Sequence, residues 1–152
     1  MESGIPIESV EPDAYRIAYE LWEGKRFRNG LSHKKSKNAI KGYTKEMDII
    51  GQFFKAGIPI VAGTDNVVPV FSLYLEIEAY HRLGKLTPIE ALRTATIIPA
   101  KAMGLDLFTG TLEIGKEADI AILDKNPLID ISNIRTVSAV IKPGTKTVNT
   151  FP

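Results

Sequence analysis

The chain has 152 residues, of which 44% are hydrophobic and 24% are charged, and its formal net charge is +1. This composition is typical of one globular domain, and the balanced charge argues against a chain that binds nucleic acid as a whole. It contains no cysteine, which excludes disulfides and thiolate metal sites. No apolar run is long enough to cross a bilayer, and the first four residues do not begin a secretory signal. We therefore expect a cytoplasmic protein with neither nucleic acid nor membrane as a partner.

The first 45 residues carry a short predicted helix and a long basic stretch. Asp13 is a candidate N-cap for a helix over 14–23, whose apolar stripe indicates core packing. Residues 25–45 contain eight lysines and arginines and no acidic residue. The only aromatic residues in this stretch are Phe27 and Tyr43, so a nucleic-acid stacking surface is poorly supported. We predict a solvated, mobile loop here, and the alternative is a cationic rim that attracts a carboxylate-bearing substrate.

A helix followed by a short apolar run is typical of an α/β repeat. Thr44 is a candidate cap for a helix that Gly57 ends. The apolar stripe of this helix consists of Met47, Ile50 and Phe54. Residues 58–63 follow at once, and their unbroken apolar character predicts a strand buried on both faces. Asp65 stands where this strand ends, so it is placed to bind a metal or move a proton, or alternatively to cap the next turn.

The next predicted helix, residues 72–83, places a carboxylate on its apolar face. On a helical wheel Glu76 falls inside the apolar arc beside Tyr80, whereas Glu78 and His81 lie outside it. A carboxylate that faces the core must find a partner or raise its pKa. We predict that Glu76 accepts hydrogen bonds from amides of the nearby loop, with a direct catalytic role as the alternative, and that His81 is exposed to solvent.

The rest of the chain is predicted to hold another helical segment and a small β unit. Thr87, Pro88 and Glu90 form a capping box at the start of a helix that Pro99 breaks or restarts and that Gly104 ends. The side chains predicted to face inward are Ile89, Leu92, Ala95 and Thr96. The pattern then becomes strand-like, and short strands are predicted over 110–112, 120–123, 137–141 and 146–148, with a hairpin turn at Pro143-Gly144.

Several motifs occur in an order and spacing that resemble one family. They are Ala62-Gly63-Thr64-Asp65, Ser72-Leu73 with Glu76, the stretch Leu86 to Thr96, the stretch Pro99 to Leu105, and the stretch Gly110 to Leu128. Together they are similar to the C-terminal part of the metal-dependent amidohydrolase superfamily, in its imidazolonepropionase-like and Xaa-Pro-dipeptidase-like branches. The resemblance covers residues 44–148. A small departure is Ile98, where the family usually has asparagine before the proline.

The resemblance implies an α/β fold class. Residues 1–105 would be the C-terminal portion of a (β/α)8 TIM-type barrel, and residues 106–152 would be the C-terminal strands of a small β-sandwich. The barrel of this family holds one or two divalent metals, usually zinc. The resemblance places Asp65 on the aspartate that ends the last barrel strand, as a metal ligand and as the base that takes the proton from the attacking water. Thr64, Asn66 and Glu76 are expected to support it from around the site.

The histidine ligands of the family have no counterpart in this sequence. The chain has two histidines, His33 and His81, and neither matches a family ligand. A catalytic zinc site usually needs about three protein ligands, and a complete barrel about 250 residues. We therefore expect a fragment that binds no zinc and is inactive by itself. Its partner is expected to be the missing N-terminal half of the enzyme or a second copy of the chain.

The resulting hypothesis is one part of a metal-dependent hydrolase that cleaves C–N bonds in small amide, dipeptide-like or cyclic-amide substrates. In such an enzyme metal-activated water attacks a polarised carbonyl. The alternative is a non-catalytic remnant or interaction module that kept this part of the fold and lacks the metal site. The coding sequence upstream of Met1 distinguishes the two, because an in-frame His-x-His segment there would support the hydrolase.

Overall fold

The computed structural model describes residues 33–63, 71–142 and 145–148. The helices are α1 (His33–Lys55), α2 (Phe71–Arg82), α3 (Pro88–Arg93) and α4 (Ile97–Ala102), and a 3-10 helix (Ile131–Arg135) follows further along the chain. The strands are β1 (Ile120–Leu123), β2 (Val137–Lys142) and β3 (Thr145–Val148). The predicted helix over 14–23, residues 25–32 of the basic stretch and the turn at Pro143-Gly144 lie outside the described residues.

Helix α1 begins well before the predicted cap at Thr44. The helix already includes residues 33–43, so the prediction of a mobile loop is wrong for that part of the basic stretch. Lysine is a good helix former, and no proline interrupts the chain between His33 and Lys55. The predicted apolar stripe is confirmed, because Met47 is buried and Ile50 and Phe54 pack against the same core.

Two glycines allow α1 to cross the end of α2 with no side chain between the backbones. A Cβ atom on Gly51 would lie 2.0 Å from the carbonyl oxygen of Gly84, and one on Gly84 would lie 2.7 Å from the carbonyl oxygen of Tyr80. The amide of Gly84 also donates to the carbonyl oxygen of Ala79 at 3.1 Å. Helix α2 ends at Arg82, within one residue of its predicted end. Its crossing with α1 is set by direct contact between the two backbones.

The core lies between α1, α2, α3 and the 3-10 helix. Its buried members are Met47, Ile77, Ala79, Tyr80, Leu86, Ala91, Ile131 and Ile134. The last two belong to the 3-10 helix, which the sequence analysis missed. A local signal for it exists, because the Asp130 side chain accepts a hydrogen bond from the Ser132 amide at 3.0 Å. The core thus joins the helical part of the chain to the connection between β1 and β2.

The predicted capping box starts helix α3. The carboxylate of Glu90 accepts a hydrogen bond from the Thr87 amide at 2.7 Å, and the Thr87 hydroxyl accepts one from the Glu90 amide at 3.4 Å. The break between α3 and α4 falls at residues 94–96, and Pro99 lies inside α4 rather than at the break. The predicted capping box is confirmed. The predicted break at Pro99 lies later in the chain than the observed one.

The inward face of this helical segment differs from the predicted one. Ala91 and Thr94 are fully buried, whereas Ile89 is 52% exposed and Thr96 is also exposed. A wheel drawn over residues 88–103 assumes one continuous helix. Because α3 has only six residues, its face is set by the contact with α2 and not by the longer periodicity, and the prediction is wrong for Ile89 and Thr96.

Residues 58–63, called the extended segment because they were predicted as a strand, have no regular secondary structure and pair with no strand among the described residues. Ile60 and Ala62 pack against the core, whereas Ile58 and Val61 are 48% and 44% exposed. The prediction of burial on both faces is therefore wrong for this chain, in which one face is covered. A strand of a closed barrel has neighbours on both edges, and the described part of the chain supplies none.

The β unit contains three of the four predicted strands. They form one antiparallel sheet in the order β1-β2-β3, in which Ile120 lies opposite Ile141 and Lys142 lies opposite Thr145. Residues 110–112 do not form a strand. Gly110 has a φ of +92°, and a Cβ atom there would lie 2.7 Å from the Cβ of Ala100. This segment therefore packs directly on α4.

Many large apolar side chains outside the core are exposed, and most of them cluster in sequence after α4. Those after α4 are Met103, Leu105, Leu107, Phe108, Leu112, Ile114, Ile122, Leu128, Ile129 and Val140. Leu107 and Leu112 are 77% and 76% exposed. Extensive exposed apolar surface is typical of a site that another polypeptide covers. None of the described helices is long and apolar enough to cross a membrane.

The crossing of α1 and α2 yields a prediction about glycine. Gly51→Ala should destabilise the chain by about 1–3 kcal/mol, because the new methyl group would lie 2.0 Å from the Gly84 carbonyl oxygen. Gly42→Ala in the same helix is the matched control, since a Cβ atom there meets nothing within 4 Å. It should stabilise the chain by up to about 1 kcal/mol through helix propensity.

Urea unfolding monitored by circular dichroism measures both variants against the parent chain. A Gly51→Ala variant as stable as Gly42→Ala would show that the two backbones do not approach this closely.

Candidate functional site

Glu76 is the one predicted site residue that the structure describes. Thr64, Asp65 and Asn66 lie outside the described residues. The candidate site is therefore defined from its two sides, by the extended segment that leads into Thr64 and by the helix α2 that follows.

The extended segment is fixed to the end of helix α3. The amide of Ala62 donates a hydrogen bond to the carbonyl oxygen of Thr94 at 2.9 Å. Thr94 itself is 0% exposed, and its hydroxyl donates to the carbonyl oxygen of Ala91 at 2.6 Å. A buried backbone carbonyl needs such a partner, because leaving it unpaired costs about as much as a lost hydrogen bond. The chain is thus held in place three residues before Asp65.

Glu76 lies on α2 with its carboxylate close to Gly63. Its Oε1 atom accepts a hydrogen bond from the hydroxyl of Tyr80, one helical turn further on. Its Oε2 atom is buried and makes no hydrogen bond of good geometry within the described part of the chain. Burial raises the pKa of Glu76, and it outweighs the lowering by the Tyr80 hydroxyl and by the Gly63 backbone amide. One carboxylate oxygen is therefore available next to the segment that leads into Asp65.

A second carboxylate on α2 is buried more deeply than Glu76. Glu78 is 1% exposed, and its Oε1 accepts a hydrogen bond from Nε of Arg135 at 2.6 Å. The helical wheel had placed Glu78 outside the apolar arc. Burial is possible because the cation of Arg135 compensates the buried charge. Arg135 lies 57 positions away in sequence, so no local pattern could have indicated this pair.

His81 is half-buried, and the prediction that it is exposed is wrong. Its Nδ1 lies 2.6 Å from the carbonyl oxygen of Leu86. A carbonyl oxygen only accepts hydrogen bonds, so Nδ1 carries the proton and donates it. This bond ties the end of α2 to the loop that precedes α3, which is a structural role. Within the described ranges no group of three or more histidine or carboxylate side chains is arranged to hold a metal ion.

A surface cavity of about 560 Å³ lies between α4 and the segment that follows it. Its charged and polar lining residues include Lys101, Asp106, Thr111, Glu113 and Lys116. The ammonium group of Lys116 donates to the Thr111 hydroxyl at 2.5 Å and lies 3.6 Å from a carboxylate oxygen of Glu113. The Lys116 ammonium group is therefore already paired within the chain, and Glu76, the predicted site residue that the structure describes, does not line this cavity.

Comparison with known proteins identifies the family. The sequence profile of the Amidohydrolase family matches residues 29–151. The chain therefore belongs to the amidohydrolase family. The resemblance to its imidazolonepropionase-like and dipeptidase-like branches is confirmed by the relatives and the solved structures that match the chain.

The curated relatives are longer proteins, and the chain matches only a part of each. The chain is 38% identical over 87 residues to ochratoxinase of Aspergillus niger, a match that covers 57% of this chain and 18% of that protein. It is 32% identical over 101 residues to imidazolonepropionase of Thermoplasma volcanium, which covers 60% of this chain and 24% of that protein. The matched region thus amounts to a quarter or less of these relatives.

Solved structures match nearly the whole chain. A putative prolidase from Bifidobacterium longum is 28% identical, with a TM-score of 0.67, and the match covers 91% of this chain and 34% of that one. An Xaa-Pro dipeptidase with bound methionine in the active site matches with a TM-score of 0.65 and 23% identity, over 90% of this chain and 34% of that one. The family and these neighbours imply a TIM-barrel-type fold, of which this chain forms a part.

The environment of Glu76 predicts a pH-dependent effect of Glu76→Gln. Burial raises the pKa of Glu76 in the folded chain, so the folded state favours the protonated form. The parent therefore loses stability as the pH rises from the ordinary glutamate pKa of about 4.3 through the raised value. Glutamine does not titrate. The free energy of unfolding of Glu76→Gln should therefore increase relative to that of the parent over this pH range. Glu76→Leu should cost about 1–3 kcal/mol, because it removes the carboxylate that accepts the hydrogen bond of the Tyr80 hydroxyl.

Glu90→Gln is the control with the opposite sign. Hydrogen bonds from the Thr87 hydroxyl and amide lower the pKa of Glu90, so this variant should lose stability relative to the parent as the pH rises. Urea unfolding at several pH values, from well below the ordinary glutamate pKa of about 4.3 up to neutral pH, measures both slopes. A gap between Glu76→Gln and the parent that does not change with pH would mean that the Glu76 carboxylate is solvated.

Proposed function

We propose that this chain completes the barrel of a metal-dependent hydrolase that cleaves C–N bonds in small amide or dipeptide-like substrates. The match to the Amidohydrolase family over residues 29–151 is the observation that carries this proposal. The fixed backbone at Ala62 supports it, because Asp65 follows three residues later at the end of the extended segment. A cytoplasmic location is part of the same proposal.

Asp65 would be the metal ligand that this chain supplies. Carboxylate oxygen is a common zinc ligand, and a bound divalent metal, with zinc as the first candidate, would polarise the substrate carbonyl and activate water. Asp65 would also accept the proton of the attacking water and later return it to the leaving nitrogen. The remaining ligands would come from the N-terminal part of the barrel.

Glu76, Thr64 and Asn66 would support Asp65 and not contact the substrate. The buried Oε2 of Glu76 makes no good hydrogen bond within the described residues and lies in the region of Gly63. It is therefore available to accept a hydrogen bond from an amide or hydroxyl of the segment that begins at Thr64. Such a bond would hold the Asp65 backbone in one place, which a metal ligand requires.

The metal test begins with the chain alone. We expect it to retain no more zinc through dialysis than its Asp65→Ala variant, and to leave dipeptides unhydrolysed, because a single carboxylate does not hold a catalytic zinc ion. Metal content by atomic absorption and amine release from dipeptides are the measurements. Stoichiometric zinc in the parent that is lost in Asp65→Ala would contradict the proposal that the site needs further chain.

The complete site is tested in a chimera. Residues 29–152 replace the matching C-terminal part of the Aspergillus niger relative, and the chimera is assayed for metal content and for the activity of that relative. Asp65→Asn should abolish both, since it removes a charged ligand and keeps the shape. Asp124→Asn is the control, because Asp124 is an exposed carboxylate at the end of β1. A folded chimera that holds no metal would favour the alternative, a non-catalytic interaction module.

The proposed partner is the N-terminal half of the enzyme or a second copy of this chain. Ile58 and Val61 of the extended segment are 48% and 44% exposed, and an unpaired strand edge recruits other strands. We expect the purified chain to form dimers, larger species or aggregates in light scattering, and we expect a co-expressed N-terminal half to relieve this. A compact 16.7 kDa monomer with a sharp cooperative melt would contradict the expectation.

A further inference from the structure

Helix α2 is held on two opposite sides by different parts of the chain. Glu76 and Tyr80 lie on the side near Gly63, and Glu78 lies on the side of the 3-10 helix. Two residues along an α-helix correspond to a rotation of about 200°, so Glu76 and Glu78 point in nearly opposite directions. Any rotation of α2 about its axis therefore moves both carboxylates at once.

The pair of Glu78 and Arg135 connects this rotation to the 3-10 helix. The Oε1–Nε distance is 2.6 Å, and Glu78 is 1% exposed. A buried carboxylate that has lost its cation is stabilised by moving towards water. For Glu78, a rotation of the helix would produce this movement. A rotation of about 20° moves a side-chain tip at the outer helix radius of roughly 5–6 Å by about 2 Å. This displacement is enough to break a hydrogen bond on the opposite side of the helix.

The 3-10 helix that carries Arg135 is itself firmly placed. Ile131 and Ile134 are 1% and 4% exposed in the same core as Ile77 and Tyr80. Asp130 caps the 3-10 helix and lies 3.6 Å from a guanidinium nitrogen of Arg82 on α2. The Arg82–Asp130 pair is largely exposed, so it contributes little to the position of α2.

We propose that Arg135 is a positioning residue for the Glu76 carboxylate, which lies beside Gly63 at the end of the extended segment. Through Glu78 it sets the rotation of α2, and thereby the place of the Glu76 carboxylate that supports the segment leading into Asp65. The inference rests on the proposed function where it concerns Asp65. The 3-10 helix between β1 and β2 would then be needed for the geometry of the site, although none of the predicted site residues belongs to it.

The hydrogen bond between Tyr80 and Glu76 provides the reporter. The full chain is labelled with 3-fluorotyrosine, and the fluorine resonance of Tyr80 is assigned, among the five tyrosines, by its loss in Tyr80→Phe. Fluorine NMR tolerates assemblies of the chain. Glu76→Gln, which changes the reporter bond directly, shows how far the resonance moves when that bond is altered.

Arg135→Met should displace the Tyr80 resonance, and the double variant Glu78→Met/Arg135→Met should return it towards the parent position, because no buried charge then drives the rotation. Arg82→Met is the matched control on the same helix and should leave the resonance in place. If Arg135→Met does not fold, Arg135→Lys is measured, since an ammonium group cannot reproduce the geometry of Nε, and a displaced resonance is again expected.

Two outcomes would overturn the proposal. In the first, Arg135→Met, or Arg135→Lys in its place, lowers the melting temperature but leaves the Tyr80 resonance unmoved, as a purely structural role requires. In the second, the double variant stays as far displaced as the single one, so that the ion pair is not the link. Neither outcome depends on a metal, so a failure here is distinguishable from a failure of the chimera to bind metal.

Discussion

The position of the extended segment depends on a buried hydrogen bond, from the Ala62 amide to the Thr94 carbonyl oxygen. Thr94 is inaccessible to water, so its carbonyl has no alternative partner in solvent, and the bond persists for as long as the core remains closed. The core on one side and this bond on the other leave the segment little freedom before Thr64. A ligand-bearing loop gains affinity from such a rigid base, because less conformational entropy is lost on binding.

Features with local causes were predictable from the sequence. The capping box at Thr87 and Glu90, the apolar stripe of α1 and the strands near residues 120–123 and 137–141 each depend on neighbours within a few positions. The order of the motifs from Ala62 to Leu128 was sufficient to indicate the family, which the profile match confirms. The role of Asp65 remains a prediction, because Asp65 lies outside the described residues.

Features with distant causes could not be predicted. Glu78 is buried because Arg135 reaches it from 57 positions away, and a helical wheel contains no such information. The face that α3 presents depends on its short length and on α2, so a periodicity read over a longer window was misleading. The extended segment was predicted to be buried on both faces from its composition alone, whereas burial of the second face requires chain that lies outside the described residues.

The 3-10 helix interrupts the path between two strands that are neighbours in the sheet. β1 and β2 are adjacent and antiparallel, yet the chain between them leaves the sheet and places Ile131 and Ile134 in the helical core. The 3-10 helix therefore links the sheet to the helical core across the boundary near residue 105 that was predicted from the sequence. In evolutionary terms, recombination at that predicted boundary would exchange strands together with two members of the helical core, so the segments on either side of it are constrained to be inherited together.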